Sequence, residues 1–185
     1  MALREILTEP NKILRTKSLK VEKVDHDLQT LMDDMLETMY AAPGIGLAAI
    51  QVGVPKRIIV IDIGLRDTTE NKSDEKQEVK KNPMFFVNPE IIDKSKINST
   101  YEEGCLSVPG QFAEIDRPDK CHIKYLDYYG ATKEIRAEGM LATCIQHEMD
   151  HLEGILFIDY LSKLKKTMII RKLSKQKKAI ERIVV

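Results

Sequence analysis

The sequence lacks several features that would assign it to a specialised class of protein. It has no Trp, and aromatic residues make up only 5% of its 185 residues. No stretch approaches the roughly 20 consecutive apolar residues of a membrane-spanning helix, so no membrane partner is expected. The first residues, MALREILTEPNK, contain no apolar run followed by small residues, so we predict no secretory signal peptide.

Cysteine is also scarce, since the chain has only Cys105, Cys121 and Cys144. An odd, small number of cysteines argues against a disulfide framework and favours a reducing compartment. Each thiol is therefore a candidate for core packing, metal binding or nucleophilic chemistry. The composition, 43% hydrophobic and 31% charged, is typical of a globular protein, and the length predicts a single domain covering residues 1–185.

The chain has no net charge, but its charges are unevenly distributed. Residues 162–185 carry nine Lys or Arg and one Glu, so the rest of the chain is acidic. We interpret this segment as a basic C-terminal helix. Two explanations remain open, namely a contact with a polyanionic partner and the ordinary solvated face of a terminal helix.

The residue pattern predicts an α+β fold with mainly antiparallel β-sheets around a central metal-binding helix, and with N- and C-terminal helices. Residues 26–40 repeat apolar side chains with helical spacing, and Asp25 or Asp27 is a candidate cap. A second helix is predicted from Met140 to Leu152. Strands are predicted in RIIVIDI, FFVNPEII, FAEIDRPDKCHIKYLD and ATKEIRAE. Residues 65–83 are dense in charge and are predicted to form a flexible loop.

The clearest chemical motif is His147-Glu148-Met149-Asp150-His151, which fits the pattern H-E-x-x-H. On a helix the two histidines lie one turn apart and can bind one cation. Glu148 can then reach a water on the metal and act as general base. The alternative is a pair of surface histidines, but the apolar neighbours of the motif favour a buried helix. For Asp150 we favour a structural role.

A metal site needs a third ligand, and the sequence after His151 offers no suitable one. No His follows, Glu153 is too close, and Glu181 lies in the basic tail. A cysteine is the attractive alternative, because thiolate and imidazole both suit Zn, Fe or Ni. Cys144 is seven residues from His151, about 10.5 Å along a helix, which favours a role in lining the pocket.

Two cysteines therefore remain as candidate ligands. Cys121 lies in an alternating strand pattern, where a buried core thiol is the ordinary interpretation. Cys105 lies in EEGCLSVPG, which we interpret as a loop with a turn at Pro109-Gly110. Such a loop can deliver a ligand to a site on another element, so this argument favours Cys105 without excluding Cys121.

Two histidines and one cysteine leave a fourth position for water, which is typical of a catalytic metal. Hydrolysis of a carbonyl group then requires donors for the oxyanion. Gln51, at the end of GIGLAAIQ, and the backbone N–H of Leu106 are the candidates. A tight turn followed by a strand is the alternative interpretation of GIGLAAIQ. The segment lacks the third glycine of a dinucleotide-binding motif, so NAD binding is excluded.

Three segments together, GIGLAAIQ (44–51), EGCLS (103–107) and QHEMDH (146–151), resemble the three motifs of peptide deformylase in order and spacing. The resemblance implies a metal-dependent hydrolase that removes the N-formyl group from formyl-methionine at the N-terminus of nascent polypeptides and releases formate. It implies Fe(II) as the metal in the cell, with Zn, Ni or Co able to replace it.

The same resemblance assigns roles to individual residues. The implied metal ligands are Cys105, His147 and His151. Glu148 is implied as the general base and then as the acid for the leaving amine, and Gln51 and the Leu106 amide as oxyanion donors. The implied substrate-binding residues are Gly46, through its backbone, and the methionine-pocket residues Ile45, Met140, Thr143 and Cys144.

The C-terminus resembles the branch of the family whose last helix docks on the ribosome near the exit tunnel. This implies a bacterial cytoplasmic enzyme with a ribosomal partner and no DNA partner. Phe112 stands where some members have an Arg that contacts the substrate backbone, and segment 65–83 is longer than in compact members. Two competing hypotheses are a zinc endopeptidase and a ribosome-associated binding module with an inert metal site.

Overall fold

The computed structural model describes residues 2–64 and 80–183. It contains seven strands: β1 Gly46–Ala48, β2 Ile58–Ile61, β3 Met84–Lys94, β4 Asn98–Cys105, β5 Val108–Pro118, β6 Lys120–Leu126 and β7 Thr132–Glu138. Three α-helices are present: α1 His26–Ala41, α2 Gly139–Leu152 and α3 Lys163–Ile183. Three short 3-10 helices cover Lys12–Arg15, Ala49–Val52 and Phe157–Tyr160.

The strands form two antiparallel sheets, which confirms the predicted fold class. One sheet has five strands in the order β1-β2-β3-β6-β7, and the other is the hairpin of β4 and β5. Asp25 caps α1 by accepting a hydrogen bond from the Leu28 N–H. None of the described helices combines the length and the apolar character that crossing a membrane requires.

The five-stranded sheet lies between two helices because its central strands are apolar on both faces. In β2, Ile59 and Ile61 pack in a cluster with residues of α2. Ile58 and Val60, which alternate with them, pack in a second cluster with the methionine-rich face of α1. The metal-binding helix predicted from the sequence is thus buried against one face of the sheet.

A third apolar cluster attaches the C-terminal helix to the β4–β5 hairpin. Ile169 and Leu173 of α3 pack with Val108 and Ile115 of β5 and with Phe157. These helix residues are four apart, so one stripe of α3 is buried, whereas most of its other described side chains are exposed.

One expectation about a loop differs from the structure, and a second falls mostly outside the described residues. The predicted loop around Cys105 is wrong, because Cys105 is the last residue of β4 and the turn lies at Leu106-Ser107 rather than at Pro109-Gly110. Pro109 and Gly110 are among the three residues of β5 that have no partner in β4, and the positive φ of Gly110 (66°) is accommodated at this irregularity. Most of the predicted 65–83 loop, residues 65–79, lies outside the described residues.

Candidate active site

A cavity of about 450 Å³ lies between the open edge of β1, the β4–β5 hairpin and α2. It is lined by ten of the eleven residues that the sequence nominated: Ile45, Gly46, Gln51, Cys105, Leu106, Met140, Thr143, Cys144, His147 and Glu148. The eleventh, His151, is fully buried. The fold thus gathers all three motifs at one place.

Cys105, His147 and His151 form a cluster whose ligand atoms all lie within 4.8 Å of one another. The two histidines project from consecutive turns of α2, with ring centroids 5.2 Å apart. The thiol arrives from the end of β4, where Cys105 Sγ is 3.2 Å from His151 Nε2. These atoms need only small shifts to surround one ion at bonds of about 2.0–2.3 Å.

A β-bulge aims Cys105 at the histidines. Gly104 pairs with Phe112, whereas Cys105 pairs with Val108, so three residues of β5 stand between neighbouring partners. Such bulges bend a strand and redirect its side chains. Cys121, by contrast, lies in β6 and packs in the apolar core, where burial raises the pKa of its thiol to about 11.

Buried ion pairs support the first histidine. Glu103 Oε2 accepts a hydrogen bond from His147 Nδ1 at 2.7 Å, which leaves Nε2 free for a metal. Arg117 donates two hydrogen bonds to the Glu103 carboxylate, at 2.5 and 3.0 Å. Burial alone would raise the pKa of Glu103, but the bonds from His147 and Arg117 outweigh it and lower that pKa.

The sequence alone did not predict the contact between Glu103 and His147. A signal for that contact was present, because Glu103 is two residues before Cys105 and such residues share a face of a strand. Asp150 accepts a hydrogen bond from Arg117 at 2.7 Å and another from the Tyr160 hydroxyl at 2.8 Å. It therefore extends the same network away from the cavity.

Glu148 presents a buried carboxylate beside the cluster. Its side chain is 4% exposed, and its Oε2 has no hydrogen-bond partner among the described residues. Burial raises the pKa of this carboxyl to about 7. A bound cation nearby would oppose that rise. A carboxyl with a pKa near neutrality suits proton transfer in both directions.

Gly46 makes room for that carboxylate. A Cβ at this position would overlap Glu148 Oε1 and come within 2.9 Å of its Cγ and Cδ. Contacts this close between a Cβ and a buried side chain require a displacement of the chain or of the carboxylate. Gly46 therefore lets the edge of β1 approach the residue proposed as the base.

The amide of Gln51 is held in a fixed orientation. Gln51 lies in the 3-10 helix after β1, and its Oε1 accepts a hydrogen bond from the Ala48 N–H at 2.7 Å. Its Nε2 is therefore directed to Ser107 Oγ at 3.1 Å and to Cys105 Sγ at 3.5 Å. Leu106 follows Cys105 directly, in the turn between β4 and β5.

Most of the remaining cavity lining is apolar, although Glu102 and Gln111 also belong to it. Thr143 and Cys144 are buried in its wall, and burial keeps the pKa of the Cys144 thiol well above its usual value. Ile45 and Met140 are half exposed, and Phe112 is 63% exposed with its ring packed over Gly104. An extended peptide with an apolar first side chain fits such a cavity.

Comparison with known proteins agrees with this geometry. The family model described as Polypeptide deformylase matches residues 3–167. A peptide deformylase from Pelagibacter ubique is 64% identical over 177 residues, covering 96% of each chain. One from Maricaulis maris is 58% identical over 182 residues, covering 98% of each chain. The crystal structure of peptide deformylase from Ehrlichia chaffeensis in complex with actinonin is 45% identical, with a TM-score of 0.85 over 95% of this chain and 98% of that one.

Proposed function

The chain belongs to the peptide deformylase family of metal-dependent hydrolases, which remove the formyl group from N-terminal formyl-methionine of nascent polypeptides, and we propose how its residues perform that reaction. Cys105, His147 and His151 hold the metal. The convergence of one thiol and two imidazoles within 4.8 Å carries this proposal. Residues 1–185 work as one catalytic domain.

The donor set suits a divalent transition metal, since thiolate and imidazole both bind Fe, Zn, Ni and Co. We assign Fe(II) as the metal in the cell, with Zn, Ni or Co as possible replacements. When bound, the metal supplies Lewis-acid chemistry, because it polarises the formyl carbonyl and acidifies water. The hydrogen bond from His147 Nδ1 to Glu103 fixes the tautomer that a ligand requires.

Glu148 carries the proton through the reaction. It takes a proton from the attacking water and then delivers it to the amine that leaves the formyl carbon. Its burial beside the cluster supports both steps, and so does its Oε2, which no described residue engages in a hydrogen bond. Gln51 Nε2 and the Leu106 N–H stabilise the oxyanion that develops on the formyl oxygen.

The peptide substrate binds as an added strand at the open edge of β1. Gly46 pairs with it through its backbone, which is the mode called β-augmentation. The methionine side chain enters the apolar end of the cavity, which is lined by Ile45, Met140, Thr143 and Cys144. Phe112, apolar and exposed at the rim, supplies no charge to the peptide backbone.

The C-terminal helix is proposed to contact the ribosome near the exit tunnel. Its exposed side chains include Lys163, Lys165, Arg171, Lys172 and Lys175. Such a basic surface attracts ribosomal RNA through its phosphates. The proposed place of action is the bacterial cytoplasm, where translating ribosomes supply the nascent chains.

Replacement of Glu148 tests the mechanism. Glu148→Gln preserves the shape of the side chain but removes the carboxylate, so metal content should be unchanged while formate release falls about 10³-fold. The assay measures formate from formyl-Met-Ala-Ser under anaerobic conditions, with the metal identified in the same sample. Full activity in this variant would refute the role of Glu148.

A further inference from the structure

Asp62 lies just after β2 and joins three segments of the chain through its carboxylate. Oδ1 accepts hydrogen bonds from the Gly64 N–H at 2.8 Å and the Asn82 N–H at 3.1 Å. Oδ2 accepts one from the Tyr40 hydroxyl at 2.5 Å and shares the Asn82 N–H at 3.1 Å. Tyr40 lies at the end of α1, and Asn82 lies just before β3. The carboxylate therefore joins α1, the end of β2 and the segment that leads into β3.

The environment of Tyr40 keeps this arrangement intact at neutral pH. Burial and the neighbouring carboxylate raise the pKa of the Tyr40 phenol well above its usual value, so the hydroxyl remains a donor. Lys81 Nζ lies 4.1 Å from the centre of the Tyr40 ring, where the cation is attracted to the aromatic face.

The backbone of Asp62 connects this junction to the active-site cavity. Its N–H donates a hydrogen bond to the Ile45 carbonyl at 2.9 Å, at the start of β1. Residues in an antiparallel ladder alternate between pairs that exchange hydrogen bonds and pairs that do not. Because Ile45 bonds to Asp62, the next pair, Gly46 with Ile61, exchanges no backbone hydrogen bonds.

It follows that the N–H and C=O of Gly46 point away from β2, towards the open edge of β1 that lines the cavity. The hydrogen bond between Asp62 and Ile45 therefore sets the direction in which Gly46 presents its backbone groups. A small rotation of this edge would misalign them for an added strand.

We propose that Asp62 is a positioning residue for the peptide substrate. Its carboxylate fixes the end of β2, and its N–H then holds Ile45 so that Gly46 meets the peptide backbone at the correct angle. This inference rests on the proposed pairing of Gly46 with the substrate. Asp62 contacts none of the proposed metal ligands, so its effect belongs to peptide binding rather than to the chemical step.

The test compares Asp62→Asn with the wild-type holoenzyme on formyl-Met-Ala-Ser. An asparagine keeps the size of the side chain but has one acceptor oxygen in place of two. We expect KM to rise about five-fold, as for one weakened hydrogen bond. We expect kcat to change by less than about two-fold and the metal content to stay the same. Tyr40→Phe, which removes one of the bonds, should raise KM about two-fold.

Asp33→Asn is the matched control. Asp33 lies on α1 and, like Asp62, accepts a hydrogen bond from a tyrosine, Tyr128, at 3.0 Å. No hydrogen bond among the described residues joins Asp33 or Tyr128 to a residue that lines the cavity, whereas Asp62 bonds to Ile45. Its KM should equal that of the wild type, whatever its thermal stability.

Two results would overturn the proposal for Asp62. One is a lower melting temperature in Asp62→Asn with an unchanged KM, since that indicates a purely structural role. The other is a fall in kcat at constant KM. If Asp62→Asn does not fold, an unchanged KM in Tyr40→Phe overturns it instead. Failure of the wild type to release formate would count against the proposed function and is thus a separate result.

Discussion

At the scale of single residues, the site depends on contacts between the three motifs and on Arg117, which lies outside them. Glu103 orients His147, and Arg117 holds Glu103 in turn. The absence of a side chain at Gly46 matters equally, because Glu148 fills the space that a Cβ would occupy. The chemistry of the motif residues therefore depends on contacts between motifs, which the order and spacing of the motifs do not specify.

The two cysteines that the sequence left as candidates can be compared directly. We expect Cys105→Ser to reduce metal content at least about ten-fold, because it removes a proposed ligand and the loss of even an outer contact costs that much. Cys121→Ser places a hydroxyl in the apolar core, so it should lower the melting temperature without changing metal content. Metal analysis after purification measures the first effect, and calorimetry the second. Equal metal loss in both variants would contradict the assignment of Cys105.

At the scale of elements, α3 combines two different faces. Ile169 and Leu173 fix it to the hairpin, and Lys166 pairs with Asp159 at 2.5 Å. The remaining described surface is basic, with Leu164 and Met168 also exposed. The helix is thus attached firmly to the catalytic domain while its charged surface stays available to a partner.

Charge reversal on α3 tests the ribosome contact without removing the buried stripe. The variant Arg171→Glu/Lys172→Glu/Lys175→Glu should co-sediment with ribosomes several-fold less at low salt, since each lost phosphate contact weakens binding. Formate release from a free tripeptide should remain at the wild-type level. A control with Lys133→Glu, on the far strand β7, changes an exposed charge elsewhere. Unchanged co-sedimentation of the triple variant would refute the contact.

At the scale of the whole molecule, hydrogen bonds attach the N-terminal segment to helix α1. Asp34 of α1 accepts hydrogen bonds from the Ala2 N–H at 2.7 Å and from Arg4 at 3.0 and 3.1 Å. The bond from Ala2 and the charge of Arg4 lower the pKa of Asp34, although burial opposes them. The N-terminal segment is therefore attached to α1 by an ionised carboxylate.

This attachment predicts a pH-dependent contribution to stability. Because the pKa of Asp34 is lower in the folded than in the unfolded chain, its stabilisation is present above the unfolded value of about 3.9 and is lost as the pH falls through the folded value. Asp34→Asn should lower the free energy of unfolding by about 1 kcal/mol at pH 7. Denaturant titrations should show this difference shrinking at about pH 3. An equal difference at both pH values would contradict the prediction.

The sequence by itself determined the class of fold, the helix with the H-E-x-x-H motif and the family. These properties are local, because helical spacing, strand alternation and motif order can be read from neighbouring residues. It also limited the third ligand to two cysteines, since helix geometry separates Cys144 from His151.

Only the tertiary structure decided which cysteine lies beside the histidines. The bulge in the β4–β5 hairpin depends on the pairing of residues across a turn that the sequence located wrongly. For the same reason, the sequence predicted neither the hydrogen bond between Glu103 and His147 nor the hydrogen bonds of Asp62. Both consist of hydrogen bonds between segments far apart in the chain, and their geometry exists only once the sheet has formed.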